Sequence, residues 1–236
     1  MSLRMEMSGF NLDQMKKFIG SKNKKAIADL QAKFDEVTDE DLKGIERSVQ
    51  MDPPQNIFSK IFNIFRKNNF ETNHEIISSK ERHLKERNDA RGLIEDLING
   101  TIKLKDGIES EFLINIIGGL SWYKQKHILT EVANFWKILP FIDEYFLPLQ
   151  KKVDKKTAKI LNYFVEGRPI IGKDFERGWS FYLYLTNKEV GQLLDAMEKY
   201  PVLTEDLEYA EGFCEQFKNS LESVYNKNKD LWIYYD

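Results

Sequence analysis

At 236 residues, with 42% hydrophobic and 13% aromatic content, the chain is long enough to bury a sizeable core and lies outside the disordered and fibrous classes. Its charged residues, 31% of the chain, balance to a net charge of -3, which leaves no global field for a phosphate backbone and sets nucleic acid aside as a partner. Cys214 is the single cysteine, so an internal disulfide is excluded.

The opening MSLRMEMSGFNLDQ holds no continuous apolar segment of signal-peptide type, and the run FLINIIGGL at 112–120 is too short to span a bilayer. A cytoplasmic chain with no membrane partner is the expectation. Within the opening, Leu3, Met5 and Met7 alternate with Arg4, Glu6 and Ser8, the period of a half-buried strand. Asn11, with Gln14 three residues on, then caps a short helix whose apolar face is Leu12, Met15, Phe18 and Ile19, and Gly20 stops it. Ile27, Leu30 and Phe34 predict a helix over Lys24–Phe34, and Thr38 caps a separate acidic helix over Asp39–Val49. Pro53 and Pro54 break the pattern.

Phe58, Ile61, Phe62 and Phe65 form one stripe beside Lys60, Arg66 and Lys67. Such a stripe suits a membrane surface or a partner helix, but at this period it is most often packed inside, and a core helix is the reading adopted. Asn68–Asn73 is a predicted loop. The basic run from Ser79 to Arg91 carries acids four residues away, Glu81 with Lys85 and Arg82 with Glu86, the pattern of a solvated helical face. Leu93, Ile94, Leu97 and Ile98 continue that helix until Asn99-Gly100 ends it.

Glu111–Leu149 is the most apolar region and is read as the core. Pro140 and Pro148 divide it and Gly118-Gly119 marks a helix end, which predicts two helices with a corner between them rather than one long rod. After the lysine-rich stretch Lys151–Lys159, the residues Ile160, Leu161, Phe164 and Val165 make a helix face. A Pro/Gly-broken, mixed-charge loop, GRPIIGKDFERGW at 167–179, then feeds a predicted strand at Phe181–Leu185. Thr186 and Glu189 form a capping box ahead of Val190, Leu193, Leu194 and Met197. Thr204 caps the last helix, and Leu207, Ala210, Cys214, Phe217, Leu221 and Val224 give it a seam that packs within the fold or against a second copy. Leu231–Tyr235 reads as a closing strand beside either the first strand or the one at 181–185. The expected fold is thus α+β, a mostly helical single domain over 1–236 with a small sheet built from the N-terminal, 180–185 and C-terminal strands.

Gly167, Pro169, Asp174, Phe175, Leu185, Thr186 and Glu189, with the segments FIGSKN and DLWIYYD near the two ends, carry a resemblance to uncharacterised bacterial conserved domains of the YfbM-like layout. The resemblance touches both termini and residues 92–197, and it implies an α+β fold with no assigned activity. Residues 35–90 stand largely outside it and read as a helical insertion. Lys173, Glu176 and Arg177 depart from the family pattern.

No chemistry-bearing motif stands out. His127 and Glu131 share a helix face, but two ligands do not make a metal site, and with His74 and His83 the chain has three histidines in all, none at HExxH spacing. No metal or cofactor is expected, since there is also no phosphate-cradling glycine loop and no serine elbow. Two acid pairs, Asp174 with Glu176 and Asp143 with Glu144, are the candidates for a small-molecule hydrolase. Glu166, Arg168, Lys173, Asp174, Arg177 and Trp179 cluster on the loop before a strand, where a rigid scaffold displays recognition groups. A mixed-charge loop with one Trp suits a protein or peptide partner, so the expectation is noncatalytic recognition, immunity- or adaptor-like, by a monomer or a weak homo-oligomer formed through the final helix.

Overall fold

A computed structural model describes residues 5–50, 68–126, 128–130, 138–176, 181–201 and 211–235. The fold is α+β and mostly helical. Its contacts divide into two units, one made of the chain up to Lys17 together with the chain from Lys103 onward, the other Phe18–Ile102.

In the first unit, β1 (Met5–Phe10) and β6 (Asp230–Tyr235) pair antiparallel over their whole length, from Met5 opposite Tyr235 to Phe10 opposite Asp230. β3 (Ile128–Thr130) adds to the far edge of β1 and β5 (Phe181–Leu185) to the far edge of β6, giving the order β3-β1-β6-β5. The closing strand therefore lies beside both of its expected neighbours, in the middle of the sheet. Alternation decides the faces. Met5, Met7, Leu183, Leu185, Leu231 and Ile233 share the face turned to the helical core. The opposite face carries Ser8, Phe10, Tyr182, Tyr184 and Trp232, where Trp232 stacks on Tyr182 at 4.5 Å and meets Phe10 edge-on at 5.5 Å.

The core face is covered by α5 (Ile138–Phe141), α6 (Leu147–Gln150), α7 (Lys155–Glu166), α8 (Asn187–Lys199) and α9 (Glu211–Asn226). Phe141 sits at their junction, 4.7 Å from Phe146, 4.8 Å from Phe213 and 5.3 Å from Phe217. Each such ring pair is worth about 0.5–1.5 kcal/mol beyond area burial, so this cluster holds α5, the turn just ahead of α6 and α9 together. Phe213, Phe217, Leu221 and Val224 belong to it, so the described part of the final-helix seam packs inside its own chain. Cys214 is half-buried at its edge. Leu207, Ala210 and the expected cap Thr204 lie outside the described residues.

Two breaks expected here are absent. Between α5 and α6 the backbone continues through a π turn at Ile142–Phe146 instead of breaking at Pro148. Pro148 has no N–H to donate, and the ladder answers with a wider step in which Leu147 N–H reaches Ile142 O. Pro140 lies within α5. Likewise Gly118-Gly119 does not end a helix, because α4 (Glu111–Trp122) runs through it and stops at Tyr123, ahead of the left-handed Lys124 (φ 52°). Ser110 caps α4 and Asp154 caps α7. The capping box at Thr186 and Glu189 forms as expected at the head of α8. Asp230 ties two helix starts to the sheet: one carboxylate oxygen accepts from Leu12 N–H of α1 (Leu12–Lys16), the other from Asn187 N–H of α8, both at 2.9 Å.

The second unit is built on α2 (Lys24–Gln50) and α3 (Asn68–Asn99), which run antiparallel: Gln31 reaches the Arg91 carbonyl and Arg87 reaches Asp39. The expected break near Thr38 does not occur, since its hydroxyl donates back to Phe34 O inside one continuous helix. Asn68–Asn73 is helical rather than a loop. The basic run does more than face solvent. Arg87 and Arg91 both bridge to Asp35 across the helix pair, while Arg82 pairs with Glu86 along its own helix. The stripe at Ile57–Phe65 lies outside the described residues.

Truncating Phe217 to Ala removes a fully buried ring from the aromatic junction and is expected to cost about 3–5 kcal/mol in urea unfolding. Gly118→Ala has the opposite sign: a Cβ there meets nothing within 4 Å, so the same measurement is expected to show a gain of about 0.5–1 kcal/mol from helix entropy.

Candidate functional site

The loop that follows α7 is positioned by a residue far from it in sequence. Asp106 and Gly107 turn the chain with positive φ into β2 (Ile108–Glu109), which pairs in parallel with β4 (Asp174–Phe175). The two-residue strand leaves Ile108 half-exposed and turns Glu109 wholly inward. There the Glu109 carboxylate accepts from Ile171 N–H at 2.5 Å and Gly172 N–H at 2.9 Å through Oε1, and from the Tyr182 hydroxyl through Oε2. The Tyr182 oxygen in turn accepts from Ile170 N–H at 2.9 Å. Three successive backbone amides of the loop thus end on one buried acid and one buried phenol. A buried carboxylate is tolerable only when its lone pairs are filled in this way.

Glycine is required at two points. Gly167 closes α7 with φ +76°, and a Cβ there would lie 2.3 Å from the Phe175 ring and 3.0 Å from Tyr182 O. At Gly172 a Cβ would fall 2.5 Å from Gly107 O. Backbone bonds from Lys173 N–H to Gly107 O and from Glu176 N–H to Glu109 O complete the attachment, at 2.7 and 2.8 Å.

The six loop residues expected to recognise a partner are not equivalent. Arg168 is not displayed: its guanidinium donates to Tyr184 O at 3.1 Å and Glu189 Oε2 at 2.8 Å, and lies over the Tyr163 and Tyr184 rings at 4.6 and 4.3 Å. It joins the loop to the capping box, because the same Glu189 oxygen accepts from Thr186. Lys173 and Asp174 are exposed, as is Glu166, whose carboxylate accepts from Asn162. Arg177 and Trp179 lie outside the described residues. Of the acid pairs, Asp174 and Glu176 are both exposed, and Asp143 is exposed beside a half-buried Glu144. Among the described residues no group of three or more His, Cys, Asp or Glu side chains could hold a metal ion, and no helix is long and apolar enough to cross a membrane. His127 and Glu131 are outside the described residues.

The residues that hold the loop, Glu109 and Tyr182, were not singled out from sequence. Only the Gly107 turn ahead of Glu109 hints at a strand there, and two residues carry no period. Of the positions behind the family resemblance, Gly167, Phe175, Thr186 and Glu189 all serve this scaffold.

Burial pushes the Tyr182 hydroxyl well above its ordinary range, with the neighbouring Glu109 charge adding to it. Its stabilising contribution is complete below about pH 10 and is lost as pH rises toward the folded value. Burial acts to raise the Glu189 carboxyl, but hydrogen bonds from Thr186 and Arg168 together hold it below the usual range. That contribution is present above about pH 4.3 and is lost as pH falls through the lowered value. Glu189→Gln is therefore expected to flatten the acid limb of a stability-against-pH curve and Tyr182→Phe the alkaline limb. Glu109→Gln turns an amide toward the Tyr182 hydroxyl and is expected to cost about 1–3 kcal/mol, with hydrogen exchange accelerated at Ile171 and Gly172. No protein-family model matches this chain, and no curated protein or solved structure does either.

Proposed function

We propose that the chain is a noncatalytic recognition module, immunity- or adaptor-like, working in the cytoplasm of a bacterium and taking a protein or peptide partner on the loop that follows α7. The observation carrying this reading is the Glu109 lock. It fixes the backbone from Ile170 to Gly172 while Lys173, Asp174 and Glu176 stay exposed beside it. A surface ordered in advance loses little entropy on association, and alternating charge on it supplies register.

The hydrolase alternative draws less support. Glycosidase-like acids work in a cleft that excludes water, whereas Asp174 and Glu176 both face solvent. Neither lines the clefts beside Trp232, Asp154 or Tyr145.

A pull-down with tagged wild type and with a Lys173→Glu, Asp174→Lys double variant tests the reading. Both positions are exposed, so the variant is expected to keep the wild-type stability within about 0.5 kcal/mol. Specifically retained partners are expected to be lost from the variant; identical partner sets from the two proteins would refute the assignment. Arg168 is unsuitable for this purpose, since its removal strips a half-buried ion pair from the scaffold.

A further inference from the structure

The Tyr182 phenol has more beside it than holding the loop requires. Its ring is wholly buried and stacked on the Trp232 indole, with 4.5 Å between centroids and 20° between planes. Phe175 and Phe10 close the pair edge-on, at 5.0 Å from Tyr182 and 5.5 Å from Trp232. Trp232 keeps 3% of its surface exposed and lines a cleft on the sheet face away from the helical core. Two oxidisable rings therefore touch, the inner one sealed from water and the outer one reaching the surface.

Hydrogen bonding sets Tyr182 apart from other phenols of the chain. Tyr145 donates to the Tyr200 carbonyl and Tyr234 to the Asn115 amide oxygen, and neutral amide oxygens do not keep a proton at neutral pH. Tyr182 instead donates to a carboxylate oxygen. That oxygen, Glu109 Oε2, takes no other bond among the described residues, since Ile171 N–H and Gly172 N–H both end on Oε1. Burial and the Glu109 charge hold the phenol well above its ordinary range, so its proton does not leave alone at neutral pH. It can leave together with an electron, along a hydrogen bond already made.

We propose that Trp232, Tyr182 and Glu109 form a one-electron donor that quenches oxidising free radicals. A radical meeting Trp232 removes one electron and becomes its reduced anion. Tyr182 refills the indole, and as it gives up that electron its hydroxyl proton passes to Glu109 Oε2. The products are the reduced anion, an intact Trp232, a neutral Tyr182 phenoxyl and a neutral Glu109 carboxylic acid, so charge and protons balance. Moving the proton with the electron avoids a buried phenol cation, which the apolar surroundings would penalise heavily. The loop keeps its anchor, because Oε1 still accepts both amides while the new Oε2–H donates to the phenoxyl oxygen.

Azide radicals generated by pulse radiolysis in a solution of the full chain test this, with indole and phenoxyl radicals followed by transient absorption and freeze-quenched electron paramagnetic resonance. The indole signal is expected to pass to a phenoxyl at a rate independent of protein concentration and slower in deuterium oxide. Tyr182→Phe, which keeps the ring and its packing, is expected to shorten the phenoxyl lifetime at least about tenfold. Glu109→Gln, checked for folding by its melting temperature, is expected to slow the transfer at least about tenfold, since an amide cannot take the proton. An unaltered long-lived phenoxyl in Tyr182→Phe, a wild-type rate indifferent to deuterium oxide, or undiminished transfer in folded Glu109→Gln would overturn the proposal.

Discussion

The pairing of β1 with β6 is the constraint on which the first unit depends. Six consecutive residue pairs join the opening of the chain to its close, and both outer strands hang from this central ladder. Because a strand shows alternate residues to alternate faces, a shift of one residue would exchange Met5 and Met7 with Glu6 and Ser8. The register is anchored at one end by Asp230, which satisfies the orphan amides of two helices that begin there. At the other end Tyr235 stacks on Phe181 with 4.4 Å between ring centres, so the ladder is pinned at both ends by different physics.

The two faces of that sheet divide the work. One turns aliphatic side chains to a cluster of phenylalanines and contributes stability. The other turns aromatic and polar side chains to α4 and to the loop held by Glu109, and it is here that unusual features gather: a wholly buried carboxylate, an arginine between two tyrosines, and a helical glycine with no steric reason to be one. Burying Glu109 without a cationic neighbour among its three donors is a poor way to gain stability. It is an effective way to make one backbone conformation far better satisfied than any other.

What could be read from the sequence was what is local. Strand alternation at Met5–Ser8, the apolar content of Phe181–Leu185 and the Thr186/Glu189 box each lie within a few residues, and each appears as read. The fold class followed from these. The π turn was not legible because it is the response of a helix to a proline in a packed environment, where the same residue in isolation signals a break. Glu109 and Arg168 were missed or misassigned for a related reason. Their partners lie 62 to 73 and 16 to 21 residues away, and an exposed and a buried charge look alike in a string of letters. Glycines 118 and 119 were taken for punctuation, but α4 runs through both.

The meeting of the two end strands also governs the order of events during synthesis. β1 leaves the ribosome well ahead of β6 and finds no central neighbour until β6 follows, so in the interval it offers unpaired amides and its methionines to its surroundings. Helices such as α2 and α3 make their contacts within one stretch of chain and can settle while elongation continues. The sheet cannot. Its closure waits until β6 has been made, so the sheet takes shape only after the helices that will cover it have been synthesised.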